Sequence, residues 1–313
     1  MRVFGPVPSR RLGKSLGVNN IPHKVCSYSC MYCQLGKAVK MQSNRQEFYQ
    51  PDELVSEVKK TLLNIKNKNQ YPDYITIVPD GEPTLDINLG ILIEKLKQLN
   101  FPVAVVTNGS LIQFPDVQRN LFNADYISIK IDTVIEPIWQ KINTPCKELK
   151  LNDIITGINS FVKNYTGKLV TETMLLKGIN DTHEEINNTA TTTGKIKPDI
   201  AYIAIPTRPP AFIEAEPTDE VMLIEAFEIF KQQINNVEML TGYEGNAFSS
   251  TGNLERDILS ISAVHPLRED AIFTLHQQSN NNISVLNRLI DEKNIKRVKY
   301  KGYNYFLRIF THT

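Results

Sequence analysis

Three cysteines lie within eight residues, at Cys26, Cys30 and Cys33, with the spacing CxxxCxxC. Soft thiolate ligands favour iron–sulfur clusters and zinc. Three thiolates on a short loop can each bind one iron of a four-iron cluster, which leaves one iron open to a substrate or cofactor. The alternative is a structural zinc site, which needs four ligands, and His23 is the nearby candidate for the fourth. The clustering predicts metal ligation in a reducing compartment rather than a disulfide framework.

Polar residues follow a series of strand-like segments that alternate with helical ones. Short β-branched or apolar runs over 74–78, 102–106, 126–131, 168–176 and 201–205 predict buried strands, and apolar stripes over 53–65 and 89–99 predict helices. This alternation predicts a parallel sheet covered by helices, and at least five such units favour a full or partial barrel. In such folds the rim after the strands holds the active site. The rim residues are Asp80, Gly81, Glu82, Thr107, Asn108, Ser110, Asp132 and Arg208.

After residue 245 the pattern changes to three short helical segments, over roughly 254–263, 267–277 and 283–292, followed by strand-like pieces over 296–300 and 303–310. Three helices followed by a hairpin are typical of a winged helix. The sequence therefore predicts an α/β protein with two domains. A partial (β/α)6 TIM-like barrel with an N-terminal leader spans residues 1–245, and a winged-helix-like domain spans residues 246–313.

Composition is that of an ordinary globular protein. The 313 residues are 41% hydrophobic and carry a formal net charge of +1, so nothing global favours nucleic acid or a membrane surface. No apolar run approaches membrane-spanning length, and the basic start of the chain lacks the apolar segment of a secretory signal. We expect a cytoplasmic protein with no membrane partner.

The cysteine segment, with Tyr32 before its last cysteine, resembles the signature of the radical S-adenosylmethionine (SAM) superfamily. The segment 80–85, Asp-Gly-Glu-Pro-Thr-Leu, lies where that superfamily carries a Gly-Gly-Glu-type motif that holds the methionine amino group. The resemblance implies a [4Fe–4S] cluster on Cys26, Cys30 and Cys33, bound SAM, and an external reductant such as flavodoxin or ferredoxin. Reductive cleavage of SAM would give methionine and a 5′-deoxyadenosyl radical, which abstracts hydrogen from a substrate.

The resemblance extends to one branch of the superfamily. The leader segments 5–13 and 17–22 and the strand segments 128–132, 172–175 and 204–210 resemble iron–sulfur oxidoreductases grouped with the tRNA wyosine-base synthases. This similarity implies a tRNA base as substrate. The archaeal synthases carry additional N-terminal cysteines for a second cluster, whereas the spare cysteine here is Cys146. One cysteine cannot hold a second cluster, and a lone cysteine is more often a small, half-buried hydrophobe than a catalyst.

Nine residues are expected at the cofactor: Tyr32, Gly81, Glu82, Thr107, Asn108, Ser128, Lys130, Asp132 and Met174. We expect Glu82 to accept a hydrogen bond from the methionine ammonium; the alternative is that it stabilises a helix N-terminus. Thr107, Asn108 and Ser128 are placed to meet the ribose or the methionine carboxylate. Lys130 and Asp132 alternate with Ser128 on one strand and share its face, and their alternative role is a mutual ion pair.

Four charged residues are expected at the substrate: Arg10, Arg11, Glu172 and Arg208. Glu172 lies within a strand, where a carboxylate seldom serves packing. Arg208 is a candidate anion clamp, because arginine presents a fixed fork to carboxylate or phosphate. Arg10 and Arg11 precede the cysteine loop and suit a phosphate or the methionine carboxylate; the alternative is a solvated basic surface.

The last twenty residues, 294–313, contain five basic residues, no acidic residue and three interleaved tyrosines. A basic wing with aromatic residues is able to bind a nucleic-acid backbone, whereas many winged helices dock proteins or peptides. Three functions therefore stay open: a radical SAM enzyme that modifies a tRNA base, a radical SAM enzyme acting on a peptide or small metabolite, and an iron–sulfur or zinc regulator without catalysis.

Overall fold

The computed structural model describes residues 2–65, 70–243, 245, 246, 248, 250, 252–263, 265–279 and 283–309. The strands are β1 (Val3–Ser9), β2 (Gly13–Val18), β3 (Val25–Cys26), β4 (Lys40–Met41), β5 (Tyr74–Ile77), β6 (Val103–Thr107), β7 (Tyr126–Lys130), β8 (Lys168–Met174), β9 (Ile200–Ala204), β10 (Val237–Leu240), β11 (Leu267–Arg268), β12 (Ile295–Tyr300) and β13 (Tyr303–Arg308). The helices are α1 (Pro51–Asn64), α2 (Leu89–Lys97), α3 (Pro115–Leu121), α4 (Glu136–Asn143), α5 (Leu151–Phe161), α6 (His183–Ile196), α7 (Glu220–Gln233), α8 (Leu254–Ile261), α9 (Glu269–Gln277) and α10 (Ser284–Asp291). Among these residues, no helix is both long enough and apolar enough to cross a membrane.

The central sheet has eight strands in the order β1-β2-β5-β6-β7-β8-β9-β10. β1 runs antiparallel to β2, and each of the other neighbouring pairs is parallel. Six helical crossovers, through α1 to α7, connect β2 to β10. Such crossovers place helices over a parallel sheet. The structure therefore confirms the predicted α/β fold with a mostly parallel sheet.

Local signals fix the ends of the helices that cover this sheet. α1 begins with Pro51 at its first turn, where a missing N–H removes no helical hydrogen bond. α6 and α7 are capped by Thr182 and Asp219, whose side chains accept hydrogen bonds from the backbone N–H groups of Glu185 at 3.4 Å and Met222 at 3.0 Å. These caps set where each helix leaves the sheet and therefore where the connecting loops reach the rim.

Interior side chains show that the sheet is strongly curved. Members of five strands and of the β1–β2 turn pack in one cluster: Leu12, Ala104, Tyr126, Val170, Tyr202, Ala204 and Leu240. Neighbouring strands lie about 4.8 Å apart, so in a flat sheet β6 and β10 would be separated by roughly 19 Å. Arg10 bridges the gap between the outermost strands, because its guanidinium donates to the carbonyl oxygens of Leu240 at 2.7 Å and Gly242 at 3.1 Å. The sheet is thus a partial barrel whose interior receives the leader turn.

The five strands that the sequence predicts in this region are present as β5 to β9. The pattern does not predict β1, β2 or β10. β1 contains two prolines and lies at the sheet edge, where proline removes no ladder hydrogen bond. β10 is the other edge, and its two central residues, Glu238 and Met239, are both exposed, so the chain shows no alternating pattern there.

Residues 254–308, the C-terminal module, form α8, β11, α9, α10, β12 and β13, with a separate antiparallel sheet in the order β11-β13-β12. The predicted helices are confirmed by α8, α9 and α10, and the predicted hairpin by β12 and β13; Phe310, the predicted end of that hairpin, lies outside the described residues. Phe4 and Val7 of β1 belong to the core of this module. The module therefore packs on the edge of the central sheet. The winged-helix interpretation and the domain division at residue 245 stay predictions.

Candidate active site

A cavity of about 270 Å³ lies at the carboxyl ends of the parallel strands, beside the cysteine loop. Thirteen of the sixteen candidate residues line it: Arg10, Arg11, Cys26, Cys30, Tyr32, Cys33, Gly81, Thr107, Asn108, Lys130, Glu172, Met174 and Arg208. The other three, Glu82, Ser128 and Asp132, are buried and hydrogen-bonded to lining residues. The structure thus brings residues from the leader, the loop and five strand ends to one place.

Protein contacts hold the cysteine loop, residues 26–33, on two sides. The backbone N–H groups of Ser29 and Met31 donate to the carbonyl oxygens of Asn143 at 2.9 Å and Ile142 at 2.8 Å, at the end of α4. On the other side, β3 pairs in parallel with β4. The backbone of the cysteine segment is therefore positioned by the surrounding fold.

Each of the three cysteine sulfurs accepts a hydrogen bond from a different side chain. The contacts are Asn108 Nδ2 to Cys26 Sγ at 3.7 Å, Asn143 Nδ2 to Cys30 Sγ at 3.4 Å and Lys24 Nζ to Cys33 Sγ at 3.1 Å. Donors of this kind stabilise the thiolate form and shift the reduction potential of a cluster bound to it.

Burial favours the protonated form of two of the three thiols in the absence of a metal. Burial, with Cys30 and Glu82 nearby, raises the pKa of the Cys26 thiol, and burial with Asp132 nearby raises the pKa of Cys30 to about 12. Because the thiolate is the ligand form, such thiols ionise when a metal supplies the compensating charge. In the part of the chain that the structure describes, no three His, Cys, Asp or Glu side chains lie close enough to share one metal ion. A four-iron cluster has no such requirement, since each thiolate binds a different iron.

The segment that follows β5 meets the cysteine strand at Gly81. A Cβ at this position would lie 1.9 Å from the carbonyl oxygen of Val25 and 2.7 Å from Ile21 Cδ1. The next residue, Glu82, donates its backbone N–H to the same Val25 oxygen at 3.2 Å. Glycine is therefore required for the close approach of this segment to β3.

Glu82 is buried and ties the ends of β5 and β6 together. Its carboxylate accepts hydrogen bonds from Thr107 Oγ1 at 2.5 Å, from the Asn108 backbone N–H at 2.7 Å and from the Thr84 backbone N–H at 3.0 Å. The last of these caps the 3-10 turn Pro83–Leu85, which is the predicted alternative role. Burial raises the pKa of Glu82, and these hydrogen bonds oppose that shift. Its contact with a methionine ammonium stays a prediction.

Asp132 anchors the aromatic residue of the cysteine motif. Its carboxylate accepts hydrogen bonds from Tyr32 Oη at 2.5 Å, Asn143 Nδ2 at 2.8 Å and the Met174 backbone N–H at 3.0 Å. Lys130 pairs with Glu172 rather than directly with Asp132. Asp132 therefore connects the cysteine loop to the ends of α4 and β8.

Glu172 lies between two cations at the wall of the cavity. Its carboxylate accepts hydrogen bonds from the Arg11 guanidinium and the Lys130 ammonium, and Arg11 also donates to Ser128 Oγ at 3.4 Å. Burial lowers the pKa of both Arg11 and Lys130. The Arg11 side chain is 20% exposed, so it does not belong to a solvated basic surface. Two positive charges and one negative charge leave this group with a net positive charge beside the cavity.

Arg208 connects the cysteine loop to the C-terminal module. Its guanidinium donates to Gln34 Oε1 and, at 2.6 Å, to His265 Nε2. Burial lowers the pKa of Arg208 to about 9 and holds the pKa of His265 well below its usual range. His265 is therefore a neutral acceptor. The cavity wall and the module share a buried polar contact.

Two tyrosines of the β12–β13 hairpin hold the same loop. Tyr300 Oη donates to the carbonyl oxygen of Pro206 at 3.1 Å, and Tyr305 Oη donates to that of Thr207 at 3.2 Å. The module is thus attached directly next to Arg208.

Cys146, the fourth cysteine, is buried in the main hydrophobic core. Its backbone N–H donates to the carbonyl oxygen of Ser27 at 2.9 Å, which braces the cysteine loop. Burial raises the pKa of its thiol. These contacts agree with the prediction of a small hydrophobic role.

Sequence reasoning does not identify four residues of this site: Lys24, Gln34, Asn143 and His265. Lys24 and Gln34 flank the cysteine motif closely, and that proximity is a signal that was available in the sequence. Asn143 and His265 reach the site from distant parts of the chain, through the end of α4 and the loop after α8. Only the fold brings them there.

Comparison with known proteins agrees with this geometry. The family model of the radical SAM superfamily matches residues 20–190, more than half of the chain. The chain belongs to the radical SAM superfamily. Members of this superfamily use a [4Fe–4S] cluster and SAM, so the protein is a radical SAM enzyme.

Similar sequences extend beyond that match. The chain is 41% identical over 307 residues to UPF0026 protein MJ1312 of Methanocaldococcus jannaschii. The aligned region covers 97% of this chain and 95% of that protein. It is 34% identical over 224 residues to a UPF0026 protein of Helicobacter pylori strain J99, covering 71% of each.

Solved structures of radical SAM enzymes share the fold. A structure of TYW1 with a lysine-pyruvate adduct bound matches with a TM-score of 0.56 at 14% identity, covering 72% of this chain and 76% of that chain. Streptococcus suis SuiB bound to SAM matches with a TM-score of 0.54 at 13% identity, covering 74% of this chain and 53% of that chain. These likenesses support the partial barrel.

Proposed function

We propose that this radical SAM enzyme holds its cluster on Cys26, Cys30 and Cys33 and abstracts a hydrogen atom from a tRNA base. The observation that carries the proposal is the meeting of these cysteines with the strand-end residues around one cavity. When bound, the cluster and SAM supply a 5′-deoxyadenosyl radical. The tasks left to the protein are to bind the cofactors, orient the substrate and exclude water.

The cysteine end of the cavity is the proposed place for SAM. Thr107 and Asn108, at the end of β6, are proposed to contact its ribose and methionine groups, with the backbone of Gly81 beside them. Glu82 accepts hydrogen bonds from the Thr107 hydroxyl and from the Asn108 backbone N–H, so the end of β6 is held in a fixed arrangement beside the cavity. Proposed contacts that complete this end are Tyr32, Ser128, Lys130, Asp132 and Met174.

The basic side chains in the wall of the cavity are proposed for the substrate. Arg11 and Lys130 share the single carboxylate of Glu172, and Arg10 adds a guanidinium whose contacts at Leu240 and Gly242 are to neutral carbonyl oxygens. Excess positive charge favours an anionic group, and guanidinium suits phosphate geometry. Arg208 lines the same wall.

The preference for RNA rests on the C-terminal module, which we interpret as a winged helix. β12 and its turn carry four exposed basic side chains, Lys296, Arg297, Lys299 and Lys301, and residues 294–313 contain no acidic residue. Tyr300 and Tyr305 attach this hairpin to the loop that carries Arg208. A phosphodiester backbone bound to these basic side chains therefore lies next to the cavity. An enzyme that modifies a base takes that base out of the stack, and the cavity is the proposed place for it.

A peptide or small metabolite is the second candidate substrate, with the module as a docking domain. Two of the three hairpin tyrosines contact the barrel loop. The third, Tyr303, is 53% exposed, and the Arg268 guanidinium lies 4.5 Å from the centre of its ring, so at most one face of this ring is open to a base. SuiB bound to its precursor peptide, with a TM-score of 0.53 at 14% identity, is a radical SAM enzyme of this fold with a peptide. A regulator without catalysis is excluded by membership of the enzyme family.

The test of the RNA proposal compares modified nucleosides in total tRNA from wild-type and deletion strains by mass spectrometry. We expect one modification to disappear and to return with the wild-type gene. In vitro, Arg297→Glu/Lys299→Glu should weaken tRNA binding and lower the salt slope of log K by about 2. Lys59→Glu/Lys60→Glu on α1 is the matched control, because both lysines are exposed. Unchanged nucleosides together with equal binding by both variants would favour the peptide or metabolite candidate.

A further inference from the structure

The short strand β4 lies at the surface directly beside the cysteine loop. Its parallel pairing with β3 places Met41 opposite Cys26 and Lys40 opposite Val25. The backbone N–H of Gln42 donates to the carbonyl oxygen of Cys26 at 3.1 Å. The route from the Met41 side chain to Cys26 therefore crosses one peptide unit and one hydrogen bond.

The outer surface of this segment combines apolar and basic side chains. Val39 is 53% exposed and Met41 is 37% exposed. The segment 34–42 contains two lysines and no acidic residue. At its far end Glu148 accepts a hydrogen bond from Ser43 at 3.4 Å. We define the β4 patch as the four exposed residues Lys37, Val39, Lys40 and Met41.

We propose that the β4 patch is the docking surface for an acidic flavodoxin that delivers the electron for SAM cleavage. Reductive cleavage needs an electron from outside the chain, and the patch is separated from Cys26 by a single hydrogen bond. Lys40, and Lys37 whose ammonium lies 4.4 Å from the centre of the Phe212 ring, complement an acidic partner, and charge complementarity of this kind accelerates and orients association. The apolar centre, Val39 and Met41, suits the dimethylbenzene edge of flavin mononucleotide.

The electron transfer balances without any further reactant. The anionic flavin hydroquinone loses one electron and becomes the neutral semiquinone, and the oxidised cluster gains that electron. No covalent bond forms or breaks, and no proton moves. The inference rests on the proposed function in one respect, that the cluster is bound by the three cysteines.

The test uses the reconstituted holoenzyme and two charge-reversal variants, Lys37→Glu/Lys40→Glu in the patch and Lys59→Glu/Lys60→Glu on α1. Both change the net charge equally at exposed positions. We expect the patch variant to raise the Kd for oxidised flavodoxin, measured by calorimetry, about 10-fold or more at low salt and the control variant to leave it nearly unchanged. The difference should shrink in 1 M salt, where the screening length falls to about 3 Å.

The second readout is the rate of cluster reduction, followed by electron paramagnetic resonance. Reduced flavodoxin should reduce the patch variant about 10-fold more slowly than the control variant, whereas photoreduced deazariboflavin, a small donor, should reduce both equally. The milder Lys40→Gln variant, which keeps the strand polar, should give a smaller loss in the same direction. Equal flavodoxin affinity and equal reduction rates for both double variants would overturn the inference.

These outcomes separate the inference from the proposed function. A wild-type holoenzyme that binds flavodoxin through the patch but forms no 5′-deoxyadenosine would contradict the proposed function alone. A holoenzyme that forms 5′-deoxyadenosine with deazariboflavin, while the patch variant binds flavodoxin as tightly as the control, would contradict the docking surface alone.

Discussion

Replacing Gly81 by alanine should disturb the cysteine strand without altering any side chain proposed to contact a cofactor. The new Cβ would lie 1.9 Å from the Val25 carbonyl oxygen, whereas ordinary contact begins at about 3.4 Å. The obstacle is backbone, so β3 and the segment after β5 must separate by more than 1 Å. Overpacking of this kind costs about 1 to 3 kcal/mol, and we expect the upper half of that range.

The assay measures thermal unfolding and the iron and sulfide content after anaerobic reconstitution. For Gly81→Ala we expect Tm to fall by roughly 4 to 10 °C and cluster content to fall strongly, because Cys26 moves with β3. Gly242→Ala is the matched control, since no atom of the described residues other than its chain neighbours lies within 4 Å of the added Cβ, and its backbone is not left-handed. A Gly81→Ala protein with wild-type Tm and full cluster content would show that position 81 does not require glycine.

Three further perturbations test the buried polar groups. Asp132→Asn weakens the acceptor of the Tyr32 hydroxyl and should lower the free energy of unfolding by about 1 to 3 kcal/mol, measured by denaturant titration; no loss would contradict the anchoring role. Glu172→Gln leaves two cations without their counter-charge, and because Arg11 is 20% exposed, solvent reduces the loss of unfolding free energy to about 2 kcal/mol. Iron content should not change, because Glu172 is not a proposed ligand of the cluster. A lost cluster would contradict this role of Glu172. His265 stays neutral in the native state, so protons bind the unfolded chain preferentially below about pH 6.5 and stability rises with pH through that range. In thermal unfolding, His265→Gln should remove about 1 kcal/mol of this pH dependence between about pH 5.5 and 7.5. A variant whose stability changes with pH as steeply as that of the wild type would contradict the neutral state of His265.

The sequence predicted the centre of the sheet better than its edges. β5 to β9 are short, buried and bounded by helices, so periodicity and turn residues identify them. β1 and β10 are edge strands, and their signals are interrupted by prolines in β1 and by two adjacent exposed residues in β10. The contribution of Phe4 and Val7 to the core of the C-terminal module could not be read locally, because it depends on contacts between distant parts of the chain.

The candidate site shows the same division. Cys26, Gly81 and Asn108 were identified because a motif and strand ends mark them, and they line one cavity. The partners of charged residues were not predictable: Lys130 alternates with Asp132 along the chain, yet it pairs with Glu172 on the neighbouring strand. Sequence spacing gives the face of a strand, whereas the ion pair depends on which neighbour offers the nearest carboxylate.

The most direct test of the central claim is the formation of 5′-deoxyadenosine. The purified protein is reconstituted anaerobically with iron and sulfide, then reduced with dithionite in the presence of SAM. We expect wild-type protein to form 5′-deoxyadenosine and methionine, and we expect Cys30→Ala to lose both the cluster and the product while Cys146→Ala retains them. A wild-type protein that binds the cluster but forms no 5′-deoxyadenosine, or a Cys30→Ala variant that still forms it, would contradict radical SAM chemistry on these three cysteines.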